Sequence, residues 1–275
     1  MAALAQSVLV TGSNCSIRRE LVRQLAASPR PPQHIFATCR NPEGPRGKEL
    51  AAQHPGIKLV QLDAVNLSSI QGAVRAVGSH LEDQGLNLLI NNAGISSQAT
   101  LRSLDSQEML SMFATNVVGP LQVAKEFLPL LKKAAKGARK GGLSCSRAAV
   151  INISSKLGSI GLCLRVPEAP MYAYRASKLR CQGRCWECSS AHSAHGGEPL
   201  GAAQNMVTRC MAADFQDKGI LCAAIHPGWV KTDMGTEKAP LMVERSMRGI
   251  LAVLASLSQD TSGAFLDWAG SSLPW

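Results

Sequence analysis

At 275 residues, with 45% hydrophobic and 17% charged residues, the chain is long enough to bury one large core, which excludes global disorder. The formal charge of +10 favours an anionic ligand but does not point to nucleic acid: its densest cluster, Lys132, Lys133, Lys136, Arg139, Lys140 and Arg147, follows an apolar helical pattern without interleaved aromatics and reads as cations at a helix C-terminus. Met1 to Thr11 has no basic n-region, no segment supplies the roughly 18 apolar residues of a membrane span, and the nine cysteines lack framework spacing over most of the chain, so a cytoplasmic protein with reduced thiols and no membrane partner is expected.

In chain order, short apolar runs alternate with helical patterns. Ser7 to Thr11 reads as the first strand, followed by a helix near 17 to 27 that Pro29, Pro31 and Pro32 close. His34 to Thr38 and Ile57 to Leu62 are the next strands, then a helix near 67 to 83 and a fourth strand, Asn87 to Ile90. One long helix over 106 to 135 precedes the fifth strand, Ala148 to Ile153. Helices from 172 onward and over 203 to 217 lead to Ile220 to Ile225, which ends in the turn Pro227-Gly228. A helix over 242 to 257 and the strand Ala264 to Asp267 complete the set. The alternation predicts α/β architecture: a single doubly wound Rossmann domain over 1 to 275, with a seven-stranded parallel sheet covered on both faces. Ligands then belong at the carboxyl ends of the strands, near the switch point.

Tyr174 and Lys178 carry the strongest chemical signal. Four residues along a helix is just over one turn, so the two heads project from one face, and a fixed cation there would lower the phenol pKa toward useful acid/base chemistry. The other tyrosine, Tyr172, lies on a different helix face. Upstream, the first strand runs into Thr11-Gly12-Ser13-Asn14-Cys15-Ser16-Ile17-Arg18, where a dinucleotide fold places its phosphate-binding turn. Gly12 suits the tight turn. Ser16 and Arg18 stand at the spacings where further glycines would let the cofactor approach.

Together, Thr11-Gly12, Asn91-Asn92-Ala93-Gly94, Asn116, Ser154-Ser155, Tyr174 with Lys178, and Pro227 to Thr232 have the order and spacing of the short-chain dehydrogenase/reductase family. Within it the chain is most similar to the carbonyl-reductase branch that includes sniffer and the C-factor proteins, over nearly its whole length apart from about 179 to 201. The resemblance implies an NADPH-dependent reductase of a small aldehyde, ketone or quinone, assembled as a homo-oligomer. Tyr174 would be the acid/base, Ser155 would bond the substrate oxygen, Lys178 would hold the nicotinamide ribose, and Asn116 would support a proton relay through water. Gly12, Ser13 and Ile17 match the pyrophosphate turn; Asn92, Ala93 and Gly94 the turn along the adenosine ribose; Asp63 the adenine contact; and Val230 and Thr232 the nicotinamide amide contacts. Arg40, after the second strand, stands where an acid would select NAD, and an arginine can pair with the 2′-phosphate of NADP. Its alternative is a solvated loop charge.

Two departures set a competing expectation. The glycine turn is degenerate at Ser16 and Arg18, which implies weakened cofactor affinity. After Lys178, about 179 to 201 has no counterpart in the pattern and contains Cys181, Cys185, Cys188, His192 and His195, then Gly196-Gly197-Glu198-Pro199. Five such side chains are enough for zinc, and the cysteine spacing also occurs in iron-sulfur radical enzymes, whose barrel the rest of the chain does not fit. The preferred reading assigns no metal and treats the segment as translated intron or alternative-exon sequence. The alternative to an active reductase is therefore an impaired relative, either a binding scaffold or a nonproductive isoform with a misplaced helix after Lys178.

Overall fold

The structure, a computed structural model, describes residues 3–13, 16–138, 141–162, 171–178, 203–232 and 235–275, with the Ser16 side chain left aside. Seven strands form one parallel sheet in the order β3-β2-β1-β4-β5-β6-β7. They are β1 (Ser7–Val10), β2 (His34–Cys39), β3 (Ile57–Gln61), β4 (Leu88–Asn91), β5 (Ala149–Ile153), β6 (Leu221–His226) and β7 (Phe265–Asp267). The predicted seven-stranded, doubly wound arrangement is present, and its order reverses between β1 and β4.

Helices cover both faces because alternate strand residues point to opposite sides. Val8, Val10, Ile35, Ile90 and Ile151 pack with Leu21 and Val22 of α1 (Ser16–Ala26) and with Met247, Ile250 and Leu254 of α8 (Val243–Ser256). On the other side, Leu9, Phe36, Leu89 and Val150 meet Ile70 and Val77 of α3 (Leu67–Leu81) and Val123, Phe127 and Leu131 of α5 (Gly119–Gly137). Strands buried on both faces read as apolar runs rather than as alternation, which is why their composition marked them.

Two helical regions differ from expectation. A short helix, α2 (Pro45–Gln53), follows β2; it buries only Gly47 and Leu50, too little apolar surface for a periodic signal. The long helix expected over 106 to 135 is instead α4 (Ser106–Phe113), a π-turn (Ala114–Val118) and α5. Pro120 has no amide hydrogen to continue the ladder, and the Gly119 amide donates five residues back to the Ala114 carbonyl. The remaining helices are α6 (Tyr172–Lys178) and α7 (Ala203–Gln216).

The basic cluster closes the end of α5, as its position implied. Lys133 donates to Asp83 at 2.8 Å and to the Glu82 carbonyl at 2.7 Å. Arg147 donates to the carbonyls of Ala135 at 3.3 Å and Gly141 at 2.7 Å. Arg139 and Lys140 lie outside the described residues. Cys39, Cys145 and Cys222 are buried free thiols and Cys210 is an exposed one, while Cys15 is outside the description. Among the described residues, no helix is long and apolar enough to cross a membrane.

Candidate active site

The turns leaving β1 and β4 meet at the carboxyl end of the sheet. The Thr11 amide extends the ladder to the Ile90 carbonyl at 3.0 Å, and its hydroxyl accepts from the amides of Asn92 and Ala93, both at 2.9 Å. Gly12 then takes φ +68, and a Cβ there would lie 3.1 Å from the Ala93 Cα, so both conformation and space require glycine. A Cβ on Gly94 would come within 3.1 Å of Asn116 Oδ1, which ties the second turn to the π-turn. Thr11 was not chosen as a site residue; the signal for it is a hydroxyl at the last strand position before an obligatory glycine.

Ser13 and Ile17 face inward. The Ser13 hydroxyl donates to the Val10 carbonyl at 2.8 Å and its amide to the Thr38 carbonyl at 2.7 Å, so of the two only the backbone-lined turn is left for a ligand. Ile17 is half-buried against the core. Arg18, also half-buried, crosses from α1 to donate to the carbonyls of Gly94 at 2.9 Å and Gly12 at 3.3 Å.

Tyr174 and Lys178 do share α6, and Tyr172 points to solvent. Ser155, just past β5, neighbours the half-buried Tyr174 phenol closely enough to favour its charged form. Burial raises the phenol pKa, and Ser155 and the Arg18 charge partly offset that rise. Burial, then the Arg18 charge, pushes Lys178 down to about 7. Its ammonium donates to the Ile153 carbonyl at 3.2 Å and to Gln204 Oε1. Arg18 is thus a further cation acting on the phenol, beside the Lys178 that shares its helix. A Cβ on Gly158 would overlap the Lys178 carbonyl, at 1.8 Å; this glycine lets α6 close onto the turn that carries Ser155.

Asn116 is fully buried and its side chain is committed. Nδ2 donates to the Ile95 carbonyl and to Ser177 Oγ, both at 3.0 Å, and Oδ1 accepts the Ile95 amide at 3.0 Å. Behind it runs a buried polar ladder. Asn91 Nδ2 donates to Asn152 Oδ1 at 3.0 Å, Asn152 Nδ2 to Thr208 Oγ1 at 2.8 Å, and Ser154 Oγ to Asn205 Oδ1 at 2.7 Å. In a low-dielectric interior such bonds specify one docking geometry, and they seat α7 on the sheet. Gln204, Asn205 and Thr208 were not identified as site residues, although polar residues at helical spacing were visible there.

The outer candidates are spread along the strand ends. Arg40 is exposed just past β2, where its carbonyl accepts from Gln61 at 3.2 Å. Asp63 Oδ1 accepts the Val65 amide at 3.2 Å. Asn92 is buried and its Nδ2 has no partner among the described residues. Val230 is buried and bridges to Leu241, while the Thr232 hydroxyl accepts the Gly235 amide at 2.9 Å. The Cys/His segment with Cys181, Cys185, Cys188, His192 and His195 lies outside the described residues, and among those described no His, Cys, Asp and Glu group could hold a metal.

His226, at the end of β6, carries a separate prediction. Burial, with the Lys156 charge second, pushes it down to about 3 from 6.5. Between those values the unfolded chain binds a proton that the folded protein refuses, so stability falls as pH drops from 6.5 toward 3, by up to about 1.4 kcal/mol per unit. Denaturant melts across this window are expected to show that slope in the wild type and a flatter one in His226→Leu.

Comparison with known proteins accounts for a glycine turn at the β1/β4 reversal facing a Ser-Tyr-Lys set. A family model described as short chain dehydrogenase matches residues 6–191, and the chain belongs to that family. Among its relatives, the C-signal protein of Myxococcus xanthus is 32% identical over 203 residues, covering 74% of this chain and 100% of that one. An NADPH-bound carbonyl reductase from chicken fatty liver superposes with a TM-score of 0.87 at 42% identity, covering 98% of this chain and 94% of the other. The carbonyl reductase Sniffer of D. melanogaster superposes with a TM-score of 0.85 at 38% identity, covering 98% and 100%.

Proposed function

We propose that this chain is an NADPH-dependent oxidoreductase that reduces an aldehyde, ketone or quinone, with residues 1–275 acting as one NAD(P)-binding domain that carries the insertion at about 179–201. The observation that carries the reading is Tyr174 and Lys178 on one short helix, with Ser155 beside the phenol and the β1/β4 reversal of the sheet in the same fold. The NADPH bound to the chicken relative supports the choice of cofactor.

The residues suit a dinucleotide. Gly12 and Ile17 would line the pyrophosphate turn, braced by Ser13 through its bonds to Val10 and Thr38, with Asn92, Ala93 and Gly94 along the adenosine ribose, Asp63 at the adenine, and Val230 and Thr232 at the nicotinamide amide. The buried Asn92 Nδ2, lacking a described partner, is the kind of donor that a ligand satisfies. When bound, NADPH supplies the hydride. Tyr174 supplies the proton: its raised pKa keeps the phenol protonated at neutral pH, ready to donate to the substrate oxygen. Ser155 orients that oxygen and stabilises the phenolate left behind. Lys178 would hold the ribose hydroxyls. Because the Asn116 side chain is used on Ile95 and Ser177, it would support a proton relay by holding those groups in place.

Arg40 pairs with the 2′-phosphate, so Arg40→Asp is expected to lower kcat/KM for NADPH by about 10- to 100-fold while sparing NADH, the loss of one strong charged contact. Initial rates with both cofactors check this. The function itself is tested by following NADPH consumption with a panel of aldehydes, ketones and quinones. Consumption matched by alcohol or hydroquinone supports it; cofactor bound but never consumed contradicts it.

An impaired relative is the second reading, and the Arg18 side chain lying across the two glycine turns favours it. The docking of α7 through Asn205 and Thr208 favours the active enzyme.

A further inference from the structure

The dinucleotide crevice of a doubly wound sheet lies where the strand order reverses, here between β1 and β4. Its two walls are the turns leaving those strands. Arg18 bonds both of them, donating 3.3 Å to the Gly12 carbonyl on one wall and 2.9 Å to the Gly94 carbonyl on the other. Its Nη1 lies 3.0 Å from where a Cβ on Gly12 would be, so the planar group rests directly against the turn. Its charge also reaches the reacting groups, lowering the pKa of both Tyr174 and Lys178.

We propose that Arg18 is a latch across the dinucleotide crevice: in the free protein its guanidinium joins the β1 and β4 turns, and cofactor enters only when both carbonyl bonds break. The inference rests on the NADPH reading above and adds to it a residue that governs access. A ligand that binds only the open form has its affinity reduced by the open fraction, and its association slowed in the same proportion when opening is a rapid prior equilibrium. The turn with Ser16 and Arg18 in place of glycines is then weak because a side chain occupies the approach.

Arg18→Ala removes the latch while preserving helix propensity in α1, and Arg18→Met keeps the bulk without the two bonds. The measurement is NADPH binding, followed by the change in cofactor fluorescence at equilibrium and by stopped flow, on proteins whose circular dichroism matches the wild type. Arg18→Ala is expected to lower the Kd by roughly 10- to 100-fold, mainly through faster association, with Arg18→Met shifted in the same direction. Weaker or unchanged binding in Arg18→Ala, with wild-type binding intact, overturns the latch and leaves the NADPH reading standing. Binding by neither wild type nor variants overturns the NADPH reading and the latch with it.

Discussion

Tyr174→Phe is expected to lower turnover of NADPH with a carbonyl substrate by about 10²- to 10⁴-fold while leaving the Kd for NADPH within a few-fold of wild type. The substitution deletes one oxygen. It keeps the ring's packing in α6 and leaves the crevice between the β1 and β4 turns untouched. What disappears is the proton donor, the hydroxyl whose pKa Ser155 and Arg18 lower. A tyrosine that is merely structural would give a different pattern, with stability reduced and turnover nearly kept. Parallel measurement of kcat, Kd and thermal midpoint separates the two, and a kcat within threefold of wild type contradicts the assignment.

Lys178→Met is expected to cost about 10²-fold in kcat/KM at pH 6 and to change the shape of the pH profile. With its pKa pushed down to about 7, Lys178 is an ammonium below that pH and loses its charge above it. Since kcat/KM reports ionisations of the free enzyme, the wild-type value for reduction should fall as pH rises through about 7. The variant should lack that limb. Stability runs the opposite way: between about 7 and 10.5 the unfolded chain holds a proton that the folded protein has released, so this lysine makes the fold more stable as pH rises through that window. Wild-type and variant profiles of the same shape would show that Lys178 is not the titrating group.

The sheet was legible because both of its faces are covered, so each strand announced itself as an apolar run between breakers. Exposed α2 left no such mark: its interior contribution is little more than Leu50. The π-turn was hidden inside a strong helical pattern, although Gly119-Pro120 was its signature.

At the site, the helical spacing selected Tyr174 and Lys178 without a fold, whereas Ser155 and Asn116 were reached only through the family pattern. The partners that set their chemistry come from distant elements and have no local signature. Gln204, after the insertion, accepts from the Lys178 ammonium, and Thr11 holds the β4 turn through two amides. Ser13 shows the converse: a hydroxyl in the right place by sequence is spent on the Val10 carbonyl. For Arg18, the sequence flagged a long cation where close approach is needed, and the fold supplied what it could not, the two carbonyls on opposite walls.

The central claim is direct reduction of a carbonyl at the Tyr174 centre. Its most direct test is product labelling with NADPH deuterated at the transferring C4 position, using an aldehyde or ketone substrate and mass spectrometry of the alcohol. The wild type is expected to yield an alcohol carrying deuterium on the former carbonyl carbon, and Tyr174→Phe almost none. Unlabelled alcohol, or the same labelled yield from both proteins, would contradict it.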